Sequence, residues 1–285
     1  MDKVKAYLQL TKPRITLLVL TVAIASFYLA SPASVKWRSF VVLVIGITML
    51  AAGIFSLNAY LERGLDLLMR RTKNRPLPAK KLLPAEALGF GAILTTAAIL
   101  FITVLLGWVA GGIALCTFIS YVLIYTSLKK LTKYHTVVGA LSGATPPLLG
   151  WAAARGRLDV DAWILFSILF IWQFPHFLAI QTIHRDDYAR AGIKVLPVLD
   201  PTGEAAARQA FVTLVLLICV GLAPFLSGMA GRAYLFESFL ISTCFLASGL
   251  PFVLHRDRKS AQVLLLVSVI YLPLLFGLLA LGAGK

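Results

Sequence analysis

The run FVVLVIGITMLAAGIFSL, residues 40–57, contains no charged side chain. A helix needs about twenty apolar residues to cross a hydrocarbon core of about 30 Å, because in lipid every backbone N–H and C=O must find its partner within the segment. Runs of this kind recur along the 285 residues, of which 59% are hydrophobic and only 14% charged, with a mean hydropathy of +0.87. Soluble domains carry roughly a quarter charged residues. The pattern therefore predicts an all-α membrane protein. Turn signals and charges place nine transmembrane spans, at about 15–33, 39–61, 84–106, 109–127, 136–154, 160–183, 208–227, 234–254 and 261–283. They form a single integral-membrane domain, residues 1–285.

Twenty of the 27 lysines and arginines fall in residues 1–14, 62–83, 129–133, 185–194 and 256–259. Six fall on the other side of the spans, at Lys36, Arg38, Arg155, Arg157, Arg232 and Lys285, and Arg208 stands near a span start. Positive charge collects on the cytoplasmic side, so the N-terminus and the longer connections are expected there and the C-terminus outside. A net charge of +15 could suit nucleic acid, but cations confined to short loops suit anionic membrane lipid head groups instead, and no nucleic-acid partner is expected. The opening MDKVKAYLQLTKPRI carries an acid at position 2 and does not resemble an organelle presequence. Its first apolar run is longer than a signal-peptide core and has no clear cleavage site, which points to a retained span in a prokaryotic plasma (inner) membrane. Cys116, Cys219 and Cys244 are odd in number, lack metal-ligand spacing and lie in apolar runs, so packing roles are expected.

Chemistry has room in two polar connections. In NAYLERGLDLLMRRTKNRPLP, Asn58, Glu62 and Asp66 stand at i, i+4 and i+8. Each step of four drifts only about 40° round a helix, so the three side chains share one face over two turns. Oxygen donors so placed suit Mg²⁺, which takes one or two carboxylates together with water and substrate phosphate. Arg70, Arg71, Lys73 and Arg75 follow, and the arginine fork matches phosphate oxygens. The plainer reading is a solvated loop whose acids offset its cations. Asn58 weighs against it, because an amide near the hydrocarbon boundary needs partners.

The second connection is WQFPHFLAIQTIHRDDYARAGIKVLPV, residues 172–198. His176 and His184 lie two four-residue steps apart on one helical face, Asp187 stands one turn further on, and Pro175 is expected to kink the helix. Asp186, Asp187 and Tyr188 form a second acidic cluster among Arg185, Arg190 and Lys194. A third stretch, YTSLKKLTKYHTVVGALSGATPPLLGW, residues 125–151, offers Lys129 and Lys130 to a diphosphate. There Gly139, Gly143 and Gly150 are expected to permit close helix approach, and Pro146–Pro147 to break the span.

Two acidic clusters, each beside cations and each closing an even-numbered span, fit an allylic diphosphate. Metal and cations neutralise the leaving group as the carbon–oxygen bond breaks, and an apolar bundle shields the carbocation from water.

At this point the chain resembles the UbiA-type intramembrane prenyltransferases and, among them, the haem-farnesylating branch. The stretches that carry the resemblance are LTKPRI (10–15), NAYLERGLDLLMRRTKNRPL (58–77), YTSLKKLT (125–132), VVGALSGATPPLLGWAA (137–153), WQFPHFLA (172–179) and DDYARAGIKVLPV (186–198). They occupy the first two thirds of the chain, and the last three spans match in hydropathy alone.

The resemblance implies a nine-helix UbiA-like bundle and an Mg²⁺-dependent transfer of farnesyl from farnesyl diphosphate to a vinyl group of haem b. Water adds in the same reaction, and haem O and diphosphate leave. It assigns Asn58, Glu62, Asp66 and Asp187 to catalysis and to the metal, and Arg70, Arg71, Arg75, Lys129 and Lys130 to the diphosphate. His176 and His184 become haem contacts, and a downstream haem A synthase becomes a possible recipient of the product. Two positions depart from the wider superfamily: Glu62 stands where Asp is usual, and His184 where quinone-type enzymes begin their second acidic motif. The alternatives are a quinone-precursor or other aromatic acceptor on the same fold, and a haem-binding or transport protein without chemistry.

Overall fold

The computed structural model describes residues 2–31 and 35–282; Lys285, counted above with the outer charges, lies outside the described residues. A short helix, α1 (Asp2–Leu10), precedes the first span, α2 (Pro13–Ala30). The chain then runs through α3 (Trp37–Leu68), α4 (Pro84–Leu106) and α5 (Trp108–Phe118). A π-helical stretch (Ile119–Tyr125) and α6 (Thr126–Leu128) continue α5. Next come α7 (His135–Gly143), α8 (Pro146–Arg155), α9 (Val160–Ile183), and the short α10 (Arg185–Arg190) and α11 (Leu196–Leu199). The last three are α12 (Glu204–Leu226), α13 (Arg232–His255) and α14 (Arg258–Gly282). Among the described residues nine helical segments are long and apolar enough to cross a membrane, and each overlaps one of the nine expected spans.

Local chemistry sets the boundaries. Pro13, Pro84 and Pro146 each open a helix, where a fixed φ and a missing N–H cost nothing. Glu86 reaches back to the Leu83 N–H (2.9 Å) and receives Lys3 Nζ (2.8 Å), so α4 is capped and α1 is tied to it. Asp200 accepts the Ala205 N–H at 2.7 Å, and Asp257 the Ser260 N–H at 2.8 Å. These bonds satisfy donors that the starts of α12 and α14 would otherwise leave open.

Neighbouring spans pack side by side and α14 returns to α2, closing the ring. The α8 helix sits inside it, and every residue from Pro146 to Ala154 is buried. Small residues make this possible. A Cβ on Gly150 would lie 2.1 Å from the Ala23 carbonyl oxygen, and one on Gly139 2.8 Å from the Tyr125 ring.

Four features differ from expectation. The α3 helix continues to Leu68, past the expected span end at 61 and through the helical face expected for Asn58, Glu62 and Asp66, because Glu62 and Asp66 have partners inside the bundle. The fourth span is not a regular helix but widens into the π stretch. Residues 2–10, read only as a basic tail, form α1, whose Ala6 and Leu10 pack with Leu77, Leu82 and Ala87. Finally, Cys116, Cys219 and Cys244 are exposed on the outside of the bundle. They are not packing residues, since apolar composition in a span does not distinguish its lipid face from its core face.

Gly150→Leu should lower the midpoint of thermal unfolding in detergent, by an overpacking cost of about 1–3 kcal/mol or more. Gly89→Ala, with nothing within 4 Å of its new carbon, should leave the midpoint unchanged or raise it. Equal effects would remove the close α2–α8 approach as a constraint.

Candidate active site

Asn58, Glu62 and Asp66 lie on the inward face of α3 at 2%, 6% and 0% exposure, whereas Leu61 and Arg63 between them face outward. Burial at this level excludes the solvated-loop reading, because a buried carboxylate must be paired or lose its charge. Each acid has its own cation. Lys129, just beyond the end of α6, is ion-paired to Glu62. Arg75 donates to both oxygens of Asp66, at 3.0 and 3.1 Å. Asn58 links the set: its Nδ2 donates to Glu62 at 2.7 Å and to Thr126 Oγ1 at 3.2 Å, and its Oδ1 receives Lys12 Nζ at 3.3 Å.

Lys12 was not among the expected site residues. It stands between α1 and α2 with φ at +47°, a left-handed turn that brings its side chain back over α3, 5.0 Å from the centroid of Phe55. Burial and the neighbouring Arg75 charge push its ammonium down to about 8. Lys129 behaves in the opposite way: burial disfavours its charge, but the Glu62 carboxylate outweighs that and raises its pKa. The signal for Lys12 was present in the LTKPRI stretch, but a lone lysine at a span start reads as topology.

The basic turn after α3 is held from the second connection. Asp187 accepts the Arg70 N–H and the Arg71 N–H, both at 3.1 Å, and is ion-paired to Arg190. Met69, Ala191, Ile193 and Val195 seal an apolar patch beside it. Asp187 thus joins the backbone of the turn that follows the first acidic motif rather than Glu62 or Asp66 themselves. Thr72 adds a bond to the Asp66 carbonyl at 2.9 Å, so the turn is fixed at both ends. The Arg70, Arg71 and Lys130 side chains are exposed. Arg71 nonetheless lines, with Asp66, Arg75, Lys12 and Arg14, a cavity of about 520 Å³.

Beside the acids runs a row of rings. Phe55 and Tyr121 have centroids 6.1 Å apart, Tyr121 and Tyr125 5.1 Å, and Tyr125 and His135 5.7 Å. The Lys129 ammonium sits 4.3 Å from the Tyr125 centroid. The π stretch carries both tyrosines, and Thr126 Oγ1 closes it by donating to the Tyr121 carbonyl at 3.0 Å. Such irregular turns are frequent at functional sites. His135 is buried, and among the described residues neither of its ring nitrogens has a hydrogen-bond partner.

The two expected haem contacts separate. His176 stacks on Trp172 at 4.7 Å and its Nδ1 meets Ser268 Oγ of α14 at 2.8 Å. His184 caps α9, where burial and then the Arg71 and Arg258 charges lower its pKa. Among the described residues no three carboxylates, histidines and cysteines gather closely enough to hold a metal by themselves. The hard oxygen set of Asn58, Glu62 and Asp66 still fits Mg²⁺, which draws its remaining ligands from water and phosphate. In this structure a lysine and an arginine are seated on the two carboxylates.

Residues 18–282 match the UbiA prenyltransferase family. The chain belongs to that family. A UbiA-family relative, the protoheme IX farnesyltransferase of Solibacter usitatus, is 42% identical over 284 residues, covering 96% of this chain and 97% of that one. The enzyme of the same name from Koribacter versatilis is 38% identical, covering 96% and 92%. In fold, the protein is similar to a solved digeranylgeranylglyceryl phosphate synthase (TM-score 0.84, 17% identity, 99% of both chains). It is also similar to the Archaeoglobus fulgidus UbiA homologue bound to GPP and Mg²⁺ (TM-score 0.66, 16% identity, 96% and 99%). This UbiA-family chain is thus an integral membrane prenyltransferase.

Asp187→Ala should free the Arg70 and Arg71 amides. Charge-assisted bonds of this kind contribute about 1.5–3 kcal/mol, so hydrogen exchange at both amides should quicken about tenfold or more, while Asp186→Ala, at an exposed position, leaves it unchanged. Unchanged protection in the Asp187 variant would remove its bracing role.

Proposed function

We propose that this prenyltransferase moves the farnesyl group of farnesyl diphosphate onto a vinyl group of haem b, with addition of water, to give haem O and diphosphate. The observation that carries the reading is the buried acid–cation cluster on α3, set at a cavity of about 520 Å³ and flanked by aromatic rings. The relatives named protoheme IX farnesyltransferase, matched over nearly the whole chain, support haem b as acceptor and farnesyl as donor.

Asn58, Glu62 and Asp66 would hold Mg²⁺, which when bound supplies positive charge against the leaving diphosphate. Arg71 and Arg75 line the cavity with Lys12 and can grip diphosphate oxygens through forked and point charges. Lys129 and the exposed Arg70 and Lys130 add positive potential at the same end. Asp187 acts by fixing the turn that presents Arg70 and Arg71.

The allylic C–O bond breaks with its electron pair going to the diphosphate oxygen. Phe55 and Tyr125, which face Lys12 and Lys129 in this structure, and Tyr121 between them present rings that can stabilise the allylic cation. The haem vinyl π pair then forms the new C–C bond, and the cation left on the porphyrin side is captured by water, which releases a proton. No general base is needed to form the C–C bond. His176, held by Trp172 and Ser268, is the proposed haem contact, with His184 at the same end of α9. The N-terminus and the site face the cytoplasm of a prokaryote across its plasma membrane, and the C-terminus lies outside.

The test uses purified protein with haem b, farnesyl diphosphate and Mg²⁺, with EDTA as control and mass-resolved chromatography of extracted haem. A new haem heavier by farnesyl plus water, absent with EDTA, is expected. Asp66→Asn should lower turnover about a hundredfold or more while the Soret change on haem binding persists. Unchanged haem b with prenylation of an added aromatic acid would overturn the acceptor, and loss of haem binding in step with turnover would make Asp66 structural.

A further inference from the structure

A second cavity, of about 380 Å³, lies away from the diphosphate site between α7, α9 and α12. The α9 helix packs against both α7 and α12, which barely meet each other, so a groove runs between them with α9 as its floor. Its polar end carries Lys133 and Arg208, both exposed. Neither is ion-paired among the described residues, and none of the described residues lining the cavity is acidic. Below these cations the walls turn apolar, with Val137 and Val212 at 40% and 48% exposure.

The decisive group is Gln181 on the floor. It is 6% exposed, its Nε2 donates to Thr136 Oγ1 at 3.2 Å, and its Oε1 is buried without a hydrogen-bond partner. A buried acceptor left open costs about 1–3 kcal/mol, and it belongs to a residue that lines the cavity.

We infer that the α7–α9–α12 groove binds one anionic phospholipid whose headgroup carries both a phosphate and a hydroxyl, with phosphatidylglycerol as the type. The phosphate lies between Lys133 and Arg208, a headgroup O–H donates to Gln181 Oε1, and an acyl chain follows Val137 and Val212 toward the hydrocarbon. Basic residues at a membrane surface attract anionic lipid in general. Here the unpartnered acceptor on the groove floor adds a requirement for a donor, which a choline headgroup does not meet.

The test reconstitutes the full-length protein in nanodiscs of phosphatidylcholine with a minor share of phosphatidylglycerol, then counts lipid retained after detergent release by native mass spectrometry. Wild type should retain one phosphatidylglycerol in preference to phosphatidylcholine. Retention should fall about fivefold for each cation removed in Lys133→Gln and Arg208→Gln, and persist in Lys133→Arg/Arg208→Lys. Gln181→Leu should weaken retention without altering the monodisperse elution of the protein. If the glutamine variants do not fold, the wild-type lipid preference and the charge-swapped pair still decide the matter. No preference in wild type, equal retention in the glutamine variants, displacement by haem b, or competition by free glycerol phosphate equal to that of the lipid would each overturn the proposal.

Discussion

Two carboxylates buried on one helix impose the requirement that the rest of the structure meets. Glu62 and Asp66 can remain charged at 6% and 0% exposure only if cations reach them, because an unpaired buried charge costs several kcal/mol. The cations arrive from different parts of the chain: Lys129 from beyond α6 and Arg75 from the turn after α3. Lys12, ahead of α2, reaches the same network through Asn58. The N-terminal segment, the end of the fourth span and the basic turn are therefore tied to α3 at one point. The Asp187 clamp on Arg70 and Arg71 brings in the sixth span as well.

This arrangement places chemistry where water is scarce and charge is balanced. A prenyl diphosphate brings two features that seldom fit one site, a highly charged head and a long apolar tail. On the proposed reading the head would meet the cluster at one end of the bundle, and the tail the aromatic row. Tyr121 and Tyr125 are spaced by a π stretch rather than by α-helical turns, which on the proposed reading would set their rings beside the carbocation.

Much of this was legible in the sequence, and the reasons are physical. Spans follow from the backbone's need for internal hydrogen bonds, so hydropathy finds nine of them. Asn58, Glu62 and Asp66 follow from helical periodicity, which fixes a common face without reference to any neighbour. Gly139 and Gly150 follow from small size among apolar residues, and both are in close contact. What could not be read depends on contacts remote in sequence. Lys12 gains its role from Asn58, 46 residues away, and Asp187 from amides more than a hundred residues earlier. The lipid-facing cysteines are a tertiary fact of the same sort.

On the proposed function, the α3 acids and the cations around them hold a metal-bound diphosphate. The most direct measurement is calorimetric titration of the detergent-solubilised protein with farnesyl thiodiphosphate, an analogue that resists ionisation, with and without Mg²⁺. The account predicts Mg²⁺-dependent binding in wild type, its loss in Glu62→Gln and Asp66→Asn, and no change in Asp186→Asn. Binding that survives in both α3 variants, or that proceeds equally without metal, would contradict it.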